Sequence, residues 1–123
     1  MNFEYAPEFK KELKRFQKKW RSISDDILDA ERQIADLYYG EDGNVLREYR
    51  AAFFNGKRAT ILHTLDDGRE VVKMRLDVEV LGTNSKVRLV FVAIRQQDSV
   101  VLIELFAKNE KPREDSKRIE RYL

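Results

Sequence analysis

The strongest constraint on this chain is the run from Val71 to Val80. From Val72 onward the pattern alternates without a break: Val72, Met74, Leu76, Val78 and Val80 fall on one side, Lys73, Arg75, Asp77 and Glu79 on the other. Successive side chains of extended backbone point to opposite faces, so this period of two predicts a half-buried strand. Gly82-Thr83-Asn84-Ser85 supplies turn residues. Lys86 to Arg95 and Val100 to Ala107 follow, apolar on both faces, which predicts central strands covered from two sides. Charge inside such strands is costly without a partner. Arg88, Glu104 and, at the exit of the last strand, Lys108 therefore stand out.

Pairing Leu81 with Lys86 across the turn sets a first register. Glu79 then faces Arg88, Arg75 faces Val92, Lys73 faces Ile94, and Arg88 shares a face with Lys73 and Arg75. The next loop decides where Lys108 points. An odd loop, Gln97 to Ser99, sets it opposite Arg88; an even loop sends it to the other face, because a slip of one residue inverts every side chain. The odd loop is preferred only through the family resemblance given below.

Upstream, Asn2 to Ala6 reads as a short strand with Phe3 and Tyr5 on one side. Pro7 suits the first position of a helix and Glu8 its positive end. Phe9, Leu13, Phe16 and Trp20 recur at helical spacing and form a core stripe. Lys11, Lys14, Arg15 and Lys18 occupy the opposite face, a solvated surface or a contact for nucleic acid or an acidic partner. Ser22 or Ser24 can cap a second helix. With Ser24 as the cap, Ile23 and Leu28 form a hydrophobic staple. Ile27, Ala30, Ile34 and Leu37 continue the stripe, and Gly40 ends it. The short link between the helices implies an antiparallel helical hairpin.

Glu41 to Lys57 is ambiguous: Val45 to Arg50 fits a helical turn or a strand, and Ala51 to Phe54 is apolar. Asn55-Gly56 is a two-residue hairpin signal. Arg58 to Leu65 predicts a strand and Asp66-Asp67-Gly68 a turn. His63, the only histidine, falls on that strand as a packed or rim residue. After the polar exit Asn109-Glu110-Lys111-Pro112, Arg113 to Leu123 predicts a short helix. Its apolar content is thin, so it is expected to be weakly docked or mobile.

A chain of 123 residues fits one domain. It has no cysteine, which excludes disulfides and thiolate metal sites. No apolar run is long enough for a membrane-spanning helix and the N-terminus lacks a signal-peptide pattern, so a soluble, cytoplasmic protein is expected. Net charge is only +2, but Lys10 to Arg21 holds seven basic residues and one acidic, and Asp25 to Glu48 eight acidic and two basic. That asymmetry suggests a side that faces a polyanion. The sequence contains no phosphate-binding glycine loop, no Cys/His cluster and no nucleophile elbow, so no cofactor is implied. Glu104 lacks a nearby carboxylate partner for glycosidase-like chemistry. What remains is the cationic set Lys73, Arg75, Arg88 and Lys108. Its plain reading is structural: Arg88 opposite Glu79 is an ordinary cross-strand ion pair, and Asp77 and Glu79 balance Lys73 and Arg75.

The order strand, helical hairpin, antiparallel sheet, with Lys73-Met74-Arg75-Leu76, Lys86-Val87-Arg88-Leu89-Val90-Phe91 and Leu105-Phe106-Ala107-Lys108-Asn109-Glu110, resembles the RelE/ParE toxin superfamily of bacterial toxin–antitoxin modules. The resemblance covers Met1 to Gly40 in pattern and Val71 to Leu123 in motif. Glu41 to Glu70 is longer than compact members need. It implies an α+β domain with the helical hairpin on one face of a twisted antiparallel sheet, a short C-terminal helix, and a concave basic face for RNA. RelE-like members are implied to cut messenger RNA, usually on the ribosome, without metal, through attack of a ribose 2′-hydroxyl on the adjacent phosphate. By resemblance, Arg88 would hold the scissile phosphate and Lys108 would be a phosphate ligand or acid. Lys73 and Arg75 would hold the backbone or supply the base, and Glu110 would be accessory. A cognate antitoxin would cover this face. Many ribonuclease members carry a histidine or tyrosine after the last strand; Asn109-Glu110 stands there, and Tyr122 is the only titratable aromatic residue near the end. Two rival expectations remain: a ParE-like gyrase inhibitor that cuts nothing, and a non-catalytic interaction domain.

Overall fold

A computed structural model of the protein describes residues 1–39, 47–82 and 85–123. Among them, β1 (Asn2–Tyr5) is followed by α1 (Pro7–Gln17), α2 (Ile23–Tyr39) and α3 (Arg47–Phe53). Then come β2 (Ala59–Thr64), β3 (Glu70–Arg75), β4 (Val87–Ile94), β5 (Ser99–Ala107) and α4 (Ser116–Glu120). The strands form one five-stranded sheet in the order β1-β5-β4-β3-β2. Neighbours run antiparallel except β1, which lies parallel to β5, so the sheet is mixed rather than antiparallel throughout. A strand that returns through a hairpin must be antiparallel to its predecessor, but β1 reaches the sheet from the far end of the chain and is free of that restriction.

The helices start and pack largely as the stripe dictates. Pro7 opens α1, and Phe9 and Phe16 are buried. Trp20 is half-buried and stacks on Phe16 at 4.9 Å. Ser22, immediately before α2, donates to the Asp26 carboxylate at 2.7 Å, and Asp26 accepts from the Glu79 amide. Leu28 is 49% exposed, so the staple with Ile23 does not form. Tyr38 of α2 donates to Glu70 at 2.8 Å and meets Phe91 edge-on. Arg50 of α3 pairs with the same Glu70 carboxylate. The predicted helix end at Gly40, residues Val45 and Leu46, and turn residues Thr83 and Asn84 lie outside the described residues.

Three local readings change. Asn55-Gly56 does not join two strands. It leads from α3 into β2, with the Asn55 side chain accepting from the Lys57 and Arg58 amides. The alternating run leaves the sheet after Arg75: Leu76 to Val78 are irregular and Glu79–Leu81 form a 3₁₀ turn. Alternation continues beyond the strand because Leu76 and Val78 still pack inward while Asp77 and Glu79 stay exposed. The C-terminal segment is docked: Ile119 is buried, and Arg118 donates to Glu12 and to the Ile103 carbonyl. Ion pairing supplies the anchoring that its few apolar residues do not. Glu12 also accepts from the Leu105 amide at 3.0 Å. β1 pairs only as far as Leu102. Beyond it, the side chains of Glu12 and Arg118 satisfy backbone groups on the buried edge of β5 that β1 does not pair.

Candidate functional site

The first hairpin register differs from the expectation by four residues. Arg75, not Glu79, lies opposite Arg88, and Lys73 lies opposite Val90. The slip is even, so every side chain keeps its face. Arg88 therefore shares a face with Lys73 and Arg75, but without the expected acidic partner.

The second hairpin reaches the expected face by another route. Its loop, Arg95 to Asp98, is even, since Ile94 pairs with Ser99. That alone would send Lys108 to the opposite face. A bulge restores parity: Phe91 pairs with Leu102 but Val90 pairs with Glu104, which leaves Ile103 as the extra residue of β5. Arg88 then faces Phe106, and the Lys108 amide bonds the Lys86 carbonyl at 2.9 Å.

These pairings set up parallel rows across one face. Lys73, Val90 and Glu104 form one row; Arg75, Arg88 and Phe106 form the next. The C-terminal segment closes the first row at both ends. Glu114 takes Lys73 at 3.1 Å. Glu104, fully buried, accepts from Lys111 and from the Asp115 amide. Burial would by itself raise the Glu114 carboxyl, but its own backbone amide and the Lys73 ammonium hold it below its ordinary value.

In the second row Phe106 is buried with Lys111 over its ring, while the two arginines lie at a pocket. Arg75, Lys86, Arg88 and Lys108, with Ser85 and Asn109, line an open pocket of about 450 Å³. Arg88 donates to the Ser85 and Val87 carbonyls at 2.9 and 3.1 Å. Among the described residues, no carboxylate lies within 4.0 Å of the cationic groups of Arg88, Lys86 or Lys108. Among the described residues Arg75 has only Asp77, at 3.7 Å, and its buried Nε has no hydrogen-bond partner. Burial, and then the charge of Arg75, push the Arg88 pKa down. A guanidinium nevertheless stays charged in proteins. Like charges directly across a ladder are destabilising. The pair is therefore poised to gain from an anion bound between its members.

The remaining expected site residues fall elsewhere. Lys73 reaches the groove wall but commits its ammonium to Glu114. Lys11, Lys14 and Arg15 are exposed on α1 and Lys18 just past its end, and none lines the pocket of Arg88 and Lys108. Glu110 pairs with Arg15 at 2.9 Å and Lys19 at 3.2 Å, so it ties the exit loop to α1. Sequence reasoning missed Lys86, whose place two residues before Arg88 on one strand was the available signal. It also missed Lys57 and Arg58. Among the described residues, no three His, Asp or Glu side chains come together to hold a metal ion, and no helix is long and apolar enough to cross a membrane.

The chain is an α+β protein whose mixed sheet carries a cationic groove in which Lys86, Arg88 and Lys108 have no ion-pair partner among the described residues. No protein-family model, no curated protein and no solved structure matches it.

Proposed function

We propose that the chain is a RelE-like toxin of a type II toxin–antitoxin module, an endoribonuclease that cuts messenger RNA at the groove of Arg88 and Lys108, with the ribosome as the site of action. One observation carries the reading. Two arginines face each other across β3 and β4 with two further lysines around them and, among the described residues, no acid close enough to neutralise Arg88. Clustered cations without partners suit a phosphate backbone, which supplies the missing charge.

In this reading Arg88 and Arg75 hold the scissile phosphate. The 2′-oxygen attacks phosphorus, the bond to the 5′-oxygen breaks, and the products are a 2′,3′-cyclic phosphate and a 5′-hydroxyl. The guanidinium groups offset charge that grows on the phosphorane. Lys108 or Lys86 donates the proton that the 5′-oxygen takes up. Among the described residues the pocket lining contains no carboxylate and no histidine, so the proton of the 2′-hydroxyl passes to solvent water. The RelE-like arrangement also sets the helical hairpin against the face opposite the groove. The Tyr38–Phe91 contact supports that placement, since Phe91 is one residue out of phase with Val90 and Arg88. An antitoxin segment that covers the groove and a cytoplasmic location belong to the same reading.

The missing base favours one rival, a ParE-like inhibitor that binds DNA gyrase and cuts nothing. The experiment is induction in a sensitive bacterium, with transcript ends mapped. Growth arrest with cyclic-phosphate ends supports the ribonuclease. Arrest with intact transcripts and DNA damage supports the gyrase inhibitor, and unaffected growth removes both.

A further inference from the structure

Resting on that reading, we infer that Lys57 and Arg58, from the segment between α3 and β2, form a second phosphate subsite at the far end of the groove, so that its ligand is a single-stranded polynucleotide contacted at two or more phosphates.

Residues 41–70 exceed what the family pattern requires, and the structure gives part of that stretch a place. A cavity of about 180 Å³ runs from Lys57, Arg58 and Thr60 past Lys73 to Arg88 and Lys108. It shares Arg75, Arg88 and Lys108 with the larger pocket, so the two adjoin along those side chains and together make a trough across the sheet. Thr60 lies opposite Lys73 on the neighbouring strand, which carries the trough across the β2 edge of the sheet. From β2 to β5 the trough crosses three strand spacings, about 14 Å. Arg58 and Arg75 share Asp77 and could share one phosphate, but Lys57 and Lys108 stand at opposite ends of that span and hydrogen-bond contacts reach only about 3 Å. A ligand that uses both ends therefore carries several phosphates in series.

The Lys57 end is built to meet a ligand. Asn55 accepts from the Lys57 and Arg58 amides at 2.9 and 3.2 Å and Gly56 takes φ +85, which fixes the bend that presents Lys57. Lys57 is exposed, with no carboxylate within 4.0 Å among the described residues. Arg58 lines the same cavity, while its guanidinium also donates to Gln33 of α2 and lies over the Phe53 ring. Asp77 lies between two guanidinium groups, 3.5 Å from Arg58 and 3.7 Å from Arg75. Both distances exceed those of a well-made charge-assisted bond. The exposed carboxylate thus stands where a phosphate would bridge the two arginines more closely, and its negative charge opposes one that arrives.

The test measures binding of labelled, uncleavable 2′-O-methyl RNA to the full chain by fluorescence anisotropy, with an octanucleotide and a dinucleotide that has a single phosphodiester. The octanucleotide is expected to bind at least about tenfold tighter. Lys57→Ala should weaken the octanucleotide by about three- to tenfold and reduce its salt slope by about one, and leave the dinucleotide unchanged. Asp77→Asn should tighten the octanucleotide. Arg88→Ala should weaken both ligands. If wild type and Arg88→Ala bind the octanucleotide equally, the groove is not the nucleic-acid site and the whole reading falls. If Arg88→Ala weakens binding while Lys57→Ala changes neither affinity nor salt slope, or the two ligands bind wild type equally, the second subsite alone is overturned.

Discussion

Two adjacent rows of one sheet face treat charge in opposite ways. In the row of Lys73, Val90 and Glu104, each ionic group has an intramolecular partner, and the C-terminal segment lies across it. In the row of Arg75, Arg88 and Phe106, about 7 Å further along the strands, two guanidinium groups oppose each other and open onto a pocket. The first row does what a fold needs. Its buried carboxylate is satisfied, and breaking it strands a charge. The second row is worse for the fold than an apolar pair would be, a cost that the proposed phosphate ligand would offset. In the proposed reading, two rows with similar ingredients differ in whether the partner is inside the molecule or outside it.

The largest effect should come from breaking the closed row. Glu104→Ala removes the acceptor of Lys111 and of the Asp115 amide. It should cost about 3 kcal/mol of stability in urea unfolding, since hydrogen bonds to a buried ion are among the strong ones. A loss under about 1 kcal/mol would mean that the C-terminal segment is not pinned there.

The open row should answer in function instead. Arg88→Ala should lower RNA cleavage by about 100-fold, the scale of a lost oxyanion donor. Its stability should move by less than about 1 kcal/mol, because relief of repulsion with Arg75 offsets two bonds to carbonyls. A large unfolding effect with intact cleavage would reverse the assignment of the two rows. Lys108→Ala should behave alike with a smaller loss of cleavage, about tenfold, read from the same initial rates.

The smallest effect concerns pH. The Glu114 carboxyl is held below its ordinary value of 4.5. A depressed carboxylate contributes stability above that value and loses it as the pH falls through the folded value. Glu114→Gln should therefore flatten the acid limb of the stability–pH curve by less than about 1 kcal/mol and leave neutral RNA binding in place. An unchanged acid limb would show that Lys73 draws nothing from Glu114.

Much of the groove was legible before any tertiary contact was known, though not for the reasons a register would give. The expected pairing of Glu79 with Arg88 does not occur, and the expected odd loop is even. Arg75, Arg88 and Lys108 still converge. The first error was an even slip, and the second was cancelled by the bulge at Ile103. The C-terminal segment was misjudged because its apolar content suggested weak docking. Its anchors are Arg118 to Glu12 and Lys73 to Glu114, pairs 106 and 41 residues apart in sequence. Glu12 looked like a stray acid in a basic stretch, and its role on the β5 edge depends on where β1 stops.

The sequence by itself determined the helix stripes and which residues of β3, and which of β4, share a face. Those properties are set by local periodicity, which no distant contact can rewrite without unfolding the strand. Only the tertiary structure decided which residues stand opposite, that β1 joins in parallel, and which cations the C-terminal segment neutralises. Register, edge pairing and ion pairing are choices among arrangements that local geometry permits equally, and the chain settles them only when its parts pack together.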